Sequence, residues 1–173
     1  MEREAVQFIF GEIFSLLGAC CVAYSTFCSA KRSMVLWQMA DSVASVITNL
    51  LLGSYAASST CAVAAVRNIL IAKNRCGRGM TVLFAGIIGI VGILTNNRGA
   101  IGLLAIVANV QYSLCVGFLK KPQSLRWALA VTLVFWVIHD TLVRSYPMAV
   151  MNFISMLVTL WNIRKAAGGK EAQ

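Results

Sequence analysis

A few charged and amide side chains sit inside stretches that are otherwise apolar, and these are the residues of the chain that could do chemistry. Asp41 and Arg67 fall at similar depth on neighbouring apolar stretches. A lone charge near the centre of a bilayer costs a few kcal/mol, so this placement predicts an Asp41–Arg67 ion pair that serves as a gate or a substrate contact. Glu12, Asn49, His139, Asp140 and Asn152 form a second set toward the other ends of their stretches, and Asn109 lies nearer the middle of its own. Amides and guanidinium groups bind solutes that carry hydroxyls or carboxylates. Arg67, Asn68, Asn109 and Asn152, with Asp41, are therefore the substrate-binding and gating candidates. A carboxylate beside an imidazole can act as a protonation switch, because histidine titrates near neutral pH. Glu12, His139 and Asp140 are the proton-coupling candidates, with Glu12 and His139 expected to face one cavity.

Other chemistries are not favoured. The chain has no H-E-x-x-H metal motif, no G-x-S-x-G elbow and no phosphate-binding glycine loop. His139 and Asp140 are consecutive, so on a helix their side chains should diverge by roughly 100° and form no simple dyad. Cys20, Cys21, Cys28, Cys61 and Cys115 lie in or at the ends of apolar stretches, Cys76 lies in a basic loop, and no C-x-x-C spacing occurs. Cysteines so placed read as small packing residues. The expectation is a non-enzyme with no metal and no cofactor.

The elements that must position these residues are seven apolar stretches, approximately Gln7–Tyr24, Val35–Tyr55, Thr60–Ala72, Met80–Asn96, Ile101–Leu119, Trp127–Val143 and Met148–Ile163. Their connections carry basic residues on alternate sides. Lys31 and Arg32, then Lys73, Arg75 and Arg78, then Lys120, Lys121 and Arg126, then Arg164, Lys165 and Lys170 share one side. Arg3, Arg98 and Arg144 are left for the other, with Glu2 and Glu4 beside the first. Basic loops stay cytoplasmic, which predicts an amino terminus outside and a carboxy terminus inside. With 59% hydrophobic and 12% charged residues, the chain has too little polar surface for a soluble body. Segregation of the positive charge to one face assigns it to topology and lipid headgroups, not to nucleic acid. Glu12 and the lack of a small-residue cleavage site after a basic start argue against a removable signal.

The predicted fold is all-α: seven transmembrane helices arranged as two three-helix repeats plus a linker helix. Shifted by roughly ninety residues, the halves come into register. Ile47-Thr48-Asn49-Leu50 and Ser54-Tyr55 fall over Ile138-His139-Asp140-Thr141 and Ser145-Tyr146, and Trp37 falls near Trp127. The predicted units are 1–79, a linker helix at 80–98, 99–165, and a disordered cytoplasmic tail at 166–173. The linker's Gly86, Gly89 and Gly92 would let helices approach closely, within one chain or between copies, so a homo-oligomer stays open. Trp37, Trp127 and Tyr146 read as interface anchors. Pro122-Gln123 lies in a basic loop with no counterpart at Lys31-Arg32.

The runs Gly53-Ser-Tyr55, Val66-Arg67-Asn68-Ile-Leu-Ile71 and Trp136-Val-Ile-His139-Asp140 resemble the bacterial inner-membrane YgjV family. The resemblance spans the first helix through Arg164 and implies a polytopic protein of the bacterial inner membrane; it brings no substrate with it. The three-plus-one-plus-three plan is similar to that of the SWEET sugar transporters, at the level of fold alone. The expected partners are the lipid bilayer and a small polar solute. The expected function is transport of that solute by alternating access. The alternative is a non-transporting structural or regulatory membrane subunit, whose polar residues would tie helices together.

Overall fold

A computed structural model describes residues 2–171, with side chains over 6–167. The side chains of Glu2, Arg3, Glu4 and Lys170, counted in the charge pattern, lie outside the described residues. Among those described, the chain is seven helices joined by short turns: α1 (Glu2–Ser25), α2 (Lys31–Leu51), α3 (Tyr55–Ala72), α4 (Arg78–Leu94), α5 (Ala100–Phe118), α6 (Pro122–Leu142) and α7 (Tyr146–Glu171). All but α4 are long and apolar enough to cross a membrane. Outward-facing side chains are themselves apolar: Ile90 and Ile93 are each 63% exposed and Leu94 79%. Hydrocarbon, not water, suits such a surface. Trp37, Trp127 and Tyr146 are also exposed, as anchors would be.

Helix limits differ from the expected ones: α2 runs Lys31–Leu51 rather than Val35–Tyr55, α6 starts at Pro122 rather than Trp127, and two further differences bear on span length and on the tail. The third helix starts at Tyr55, not Thr60, because the turn before it closes within Leu52–Ser54. Its 18 residues reach ~27 Å at ~1.5 Å per residue, close to the ~30 Å of a hydrocarbon core. The other concerns the tail. The backbone of α7 stays helical through Glu171, and of the tail only 172–173 lie outside the described residues. Gly168-Gly169 lowers helix propensity by ~1 kcal/mol per residue without forbidding the helix, as proline would. Pro122 sits in the first turn of α6, where its missing N–H leaves no bond unmade.

The turns after α2 and α6 are built alike. In the first, Leu52 N bonds Thr48 O, Gly53 N bonds Leu50 O and Ser54 N bonds Asn49 O. In the second, Val143 N bonds His139 O, Arg144 N bonds Thr141 O and Ser145 N bonds Asp140 O. Both pass through the left-handed region, at Gly53 (φ 68°) and Arg144 (φ 63°). Such a residue lets the next N–H reach back to a carbonyl one turn earlier and closes the helix end. At Arg144 the conformation carries the steric cost that glycine avoids at Gly53.

Each helix packs on its neighbours in the order α1, α2, α3, α5, α6, α7 and back to α1, which makes a closed ring of six. The seventh, α4, sits outside the ring against α3 and α5. Its glycines do not act equally. A Cβ on Gly92 would lie 2.6 Å from Ile106 Cγ1 and 2.9 Å from Thr60 Cγ2, whereas Gly86 has nothing within 4 Å and Gly89 only Val110 Cγ2 at 3.9 Å. Close approach is therefore concentrated at Gly92, where α4 meets α3 and α5 together.

Candidate functional site

The ring encloses a cavity walled by all six of its helices and by no residue of α4. On α2, Gln38, Asp41, Ser42 and Ser45 line it, a spacing that puts them on one helix face. On α3, Cys61, Ala64, Arg67 and Asn68 do the same, and on α5 Asn109 and Tyr112. From α6 come Leu129, Thr132, Leu133 and Trp136; from α7, Met148 and Asn152; from α1, Ser15, Ala19 and Val22. The volume open to the centres of water-sized molecules is about 60 Å³, against ~10–15 Å³ for one water. All five residues expected to bind or gate, Asp41, Arg67, Asn68, Asn109 and Asn152, line this one space.

They do not make the expected contacts. Asp41 and Arg67 share the cavity but form no ion pair; among the described residues the only basic nitrogen within 4 Å of a carboxylate is His139 Nδ1, beside Asp140. Arg67 is 1% exposed. It donates from Nε and Nη2 to Asn68 Oδ1 (3.1 and 2.7 Å) and lies 5.8 Å from the centre of the Tyr112 ring. Its Nη1 is buried without a partner. Asp41 instead lies against α1, where Gly18 leaves it room: a Cβ there would be 2.9 Å from Asp41 Oδ1. Asp41 and Arg67 do line one cavity from adjacent helices. The rotation that points one residue at α1 and the other at α5 is set by packing.

Several members of the wall could not be singled out from apolar context alone. Tyr112 donates its hydroxyl to Gln38 Oε1 (2.6 Å), and Thr132 donates to Gln111 Oε1 (2.8 Å). Asn109 donates to Thr60 Oγ1 (2.9 Å). The available signal was periodicity: Gln38, Asp41, Ser42 and Ser45 recur at helical spacing, as do Asn109 and Tyr112. All six cysteines are free thiols, and Cys61 is buried in the wall.

The second set of residues is also rearranged. His139 Nδ1 lies 2.8 Å from Asp140 Oδ1, and the two are 1% and 0% exposed. The expectation that consecutive side chains must diverge is thus overturned. The Cβ vectors do diverge, but an imidazole turned along the helix surface brings Nδ1 back to its neighbour. His139 also packs edge-on against Trp136, 5.4 Å between ring centres, and its Nε2 is buried without a partner. Glu12 does not join it in a cavity: neither residue lines this space or the next one. Glu12 accepts a hydrogen bond from Ser145 instead (2.8 Å).

Asp140 lines a second cavity of about 130 Å³, with Asn49, Ser54, Arg98, Arg144 and Ser145. This lies at the end away from the basic turns. Met148 lines both cavities, and Asn152 of the first donates to Asp140 Oδ2 of the second (2.7 Å). The partition between the two spaces is therefore thin and partly polar. Toward the basic turns the closure is apolar and thick. Met34, Val35, Val116 and Leu125 are fully buried there, with Val22 and Leu129 at 4%. Two cations clasp that end. Lys31 Nζ donates to Val116 O (2.5 Å) and Leu119 O (2.8 Å) at the end of α5. Arg126 donates to Thr26 O (2.8 Å) and Cys28 O (3.2 Å) beyond the end of α1. Unpaired carbonyls at a helix C-terminus favour cations.

A model of the Imp-YgjV family, bacterial inner membrane protein, matches residues 9–170, which reaches every helix of the ring. The chain belongs to that family. It is accordingly a multi-pass protein of the bacterial inner membrane, and the apolar outer surface of the YgjV-family ring faces lipid. No curated protein and no solved structure matches the chain.

Proposed function

We propose that this inner membrane protein transports a small polar solute by alternating access. The observation that carries the reading is a cavity within the ring that brings Asp41, Arg67, Asn68, Asn109 and Asn152 together and is bordered unequally toward its two ends. One border is a thin partition built around Met148 and the Asn152–Asp140 bond. The other is an apolar plug whose side chains are worth ~1.5–3 kcal/mol each when buried. A single hydrogen bond to a charged group contributes only about 1.5–3 kcal/mol. The thin side therefore opens at lower cost, and the state described here is poised to open away from the basic turns.

Two three-helix units, α1–α3 and α5–α7, would rock against each other, with α4 as the connecting helix. In support, the turns after α2 and α6 have matching hydrogen bonds, and the ring is closed between units by α1 against α7 and α3 against α5. Parallel units joined by a helix that recrosses the membrane are a recurrent transporter plan. The charge rule puts the amino terminus outside and the basic turns in the cytoplasm, so the thick plug is the inner gate. The test is uptake into proteoliposomes from a panel of labelled amino acids, carboxylates, amines and polyols. Flux of at least one class that Arg67→Ala abolishes supports the proposal. Absence of flux for every class would return the protein to a non-transporting membrane subunit.

A further inference from the structure

We infer that the central cavity takes a small zwitterion, a short α-amino acid, with its carboxylate on Arg67 and its ammonium on Asp41. The inference rests on the transporter reading above and names the solute class. It starts from two opposite charges in one small space that do not neutralise each other. Arg67 spends two of its donors on the single neutral oxygen of Asn68 and leaves Nη1 buried and unpartnered. Among the described residues, no lysine, arginine or histidine nitrogen lies within salt-bridge distance of Asp41. Arg67 is buried, and a buried charge is costly unless it is paired; Asp41 is only partly buried and faces the same space. A monoanion would compensate Arg67 and leave Asp41 bare, a cation would do the reverse, and a neutral polyol would leave both. A zwitterion answers both at once.

Size and lining agree with that chemistry. At ~10–15 Å³ for each water-sized position, the cavity of about 60 Å³ holds roughly four to six heavy atoms. That is the scale of glycine or alanine. Ala19, Leu133 and Trp136 line the same space and suit a short apolar side chain. Nη1 offers a carboxylate one N–H bond as the side chain stands, and a second, parallel one requires Asn68 to release a donor.

The test uses the full-length protein in detergent and four probes: L-alanine, its two halves propionate and ethylamine, and glycerol as the neutral control. L-alanine should raise the melting temperature and bind roughly tenfold or more tightly than either half. Asp41→Asn should weaken L-alanine and leave propionate no weaker, since it removes a charge that repels the anion. The comparison among probes on the unmodified protein needs no variant, so a poorly folded variant does not spoil it. Propionate matching L-alanine would overturn the zwitterion in favour of an anion site, and a response to glycerol alone would overturn it in favour of a polyol. Either result, with flux of that class in proteoliposomes, leaves the transporter reading standing. No response and no flux for any class would sink both.

Discussion

The clasps at the basic end give the sharpest test of the gating geometry. Lys31 holds carbonyls at the end of α5 and Arg126 those of the turn after α1, each on the other three-helix unit, so opening that end must break both. Each is half-buried, and a cation at a helix C-terminus in such a setting contributes about 1–2 kcal/mol. Lys31→Met with Arg126→Met should then favour the open inner end by ~2–4 kcal/mol if the sites add. That is a shift of roughly 30- to 1000-fold in the ratio of the two states. The plug of Met34, Val35, Val116 and Leu125 remains, so the closed state need not vanish; its share must fall. Spin labels at Arg32 and Lys121, in a background with the native cysteines replaced by alanine or serine, would report the separation of the two turns. The double variant should add a population at longer distance, and each single variant a smaller one. A distance distribution unchanged from the parent, with only a lower melting temperature, would refute the gate and leave the clasps as structural ties.

Reporter fusions after Arg75, Lys121 and Lys170 should be cytoplasmic and one after Arg98 external; an external reading at Lys121 would contradict the proposed orientation. Gly92→Ala places a Cβ 2.6 Å from Ile106 Cγ1 and 2.9 Å from Thr60 Cγ2, an overpacking that should cost ~1–3 kcal/mol. Gly86→Ala has open space and should be neutral or stabilising by up to ~1 kcal/mol; equal melting temperatures for the pair would mean that α4 is not held at Gly92. Because Asp41 and Arg67 share one cavity without forming an ion pair, Asp41→Asn and Arg67→Gln should couple in detergent melting by no more than ~1 kcal/mol, well below the ~3–5 kcal/mol of a broken buried pair. A larger recovery in the double variant would restore the direct pair.

The sequence by itself determined that the chain is an all-helical membrane protein, roughly where its seven helices lie, and which polar residues fall within them. These are local properties. A run of apolar residues needs no partner to be read, and basic residues in alternate turns report orientation to a bilayer whatever the packing. The similar depth of Asp41 and Arg67 follows from counting along two helices joined by a turn. Only the tertiary structure decided where each side chain points, because that depends on the rotation of each helix about its axis within the ring. That rotation turned Asp41 toward Gly18 and Arg67 toward Tyr112, leaving between them a cavity where the sequence suggested an ion pair. It also seated Gln38, Tyr112 and Thr132 in the wall, residues whose types are unremarkable in an apolar helix. At His139 and Asp140 the side-chain rotamers decided. Adjacency along a helix fixes where the Cβ atoms start, whereas the crowding of Trp136 and the amide of Asn152 fix where the imidazole and the carboxylate end.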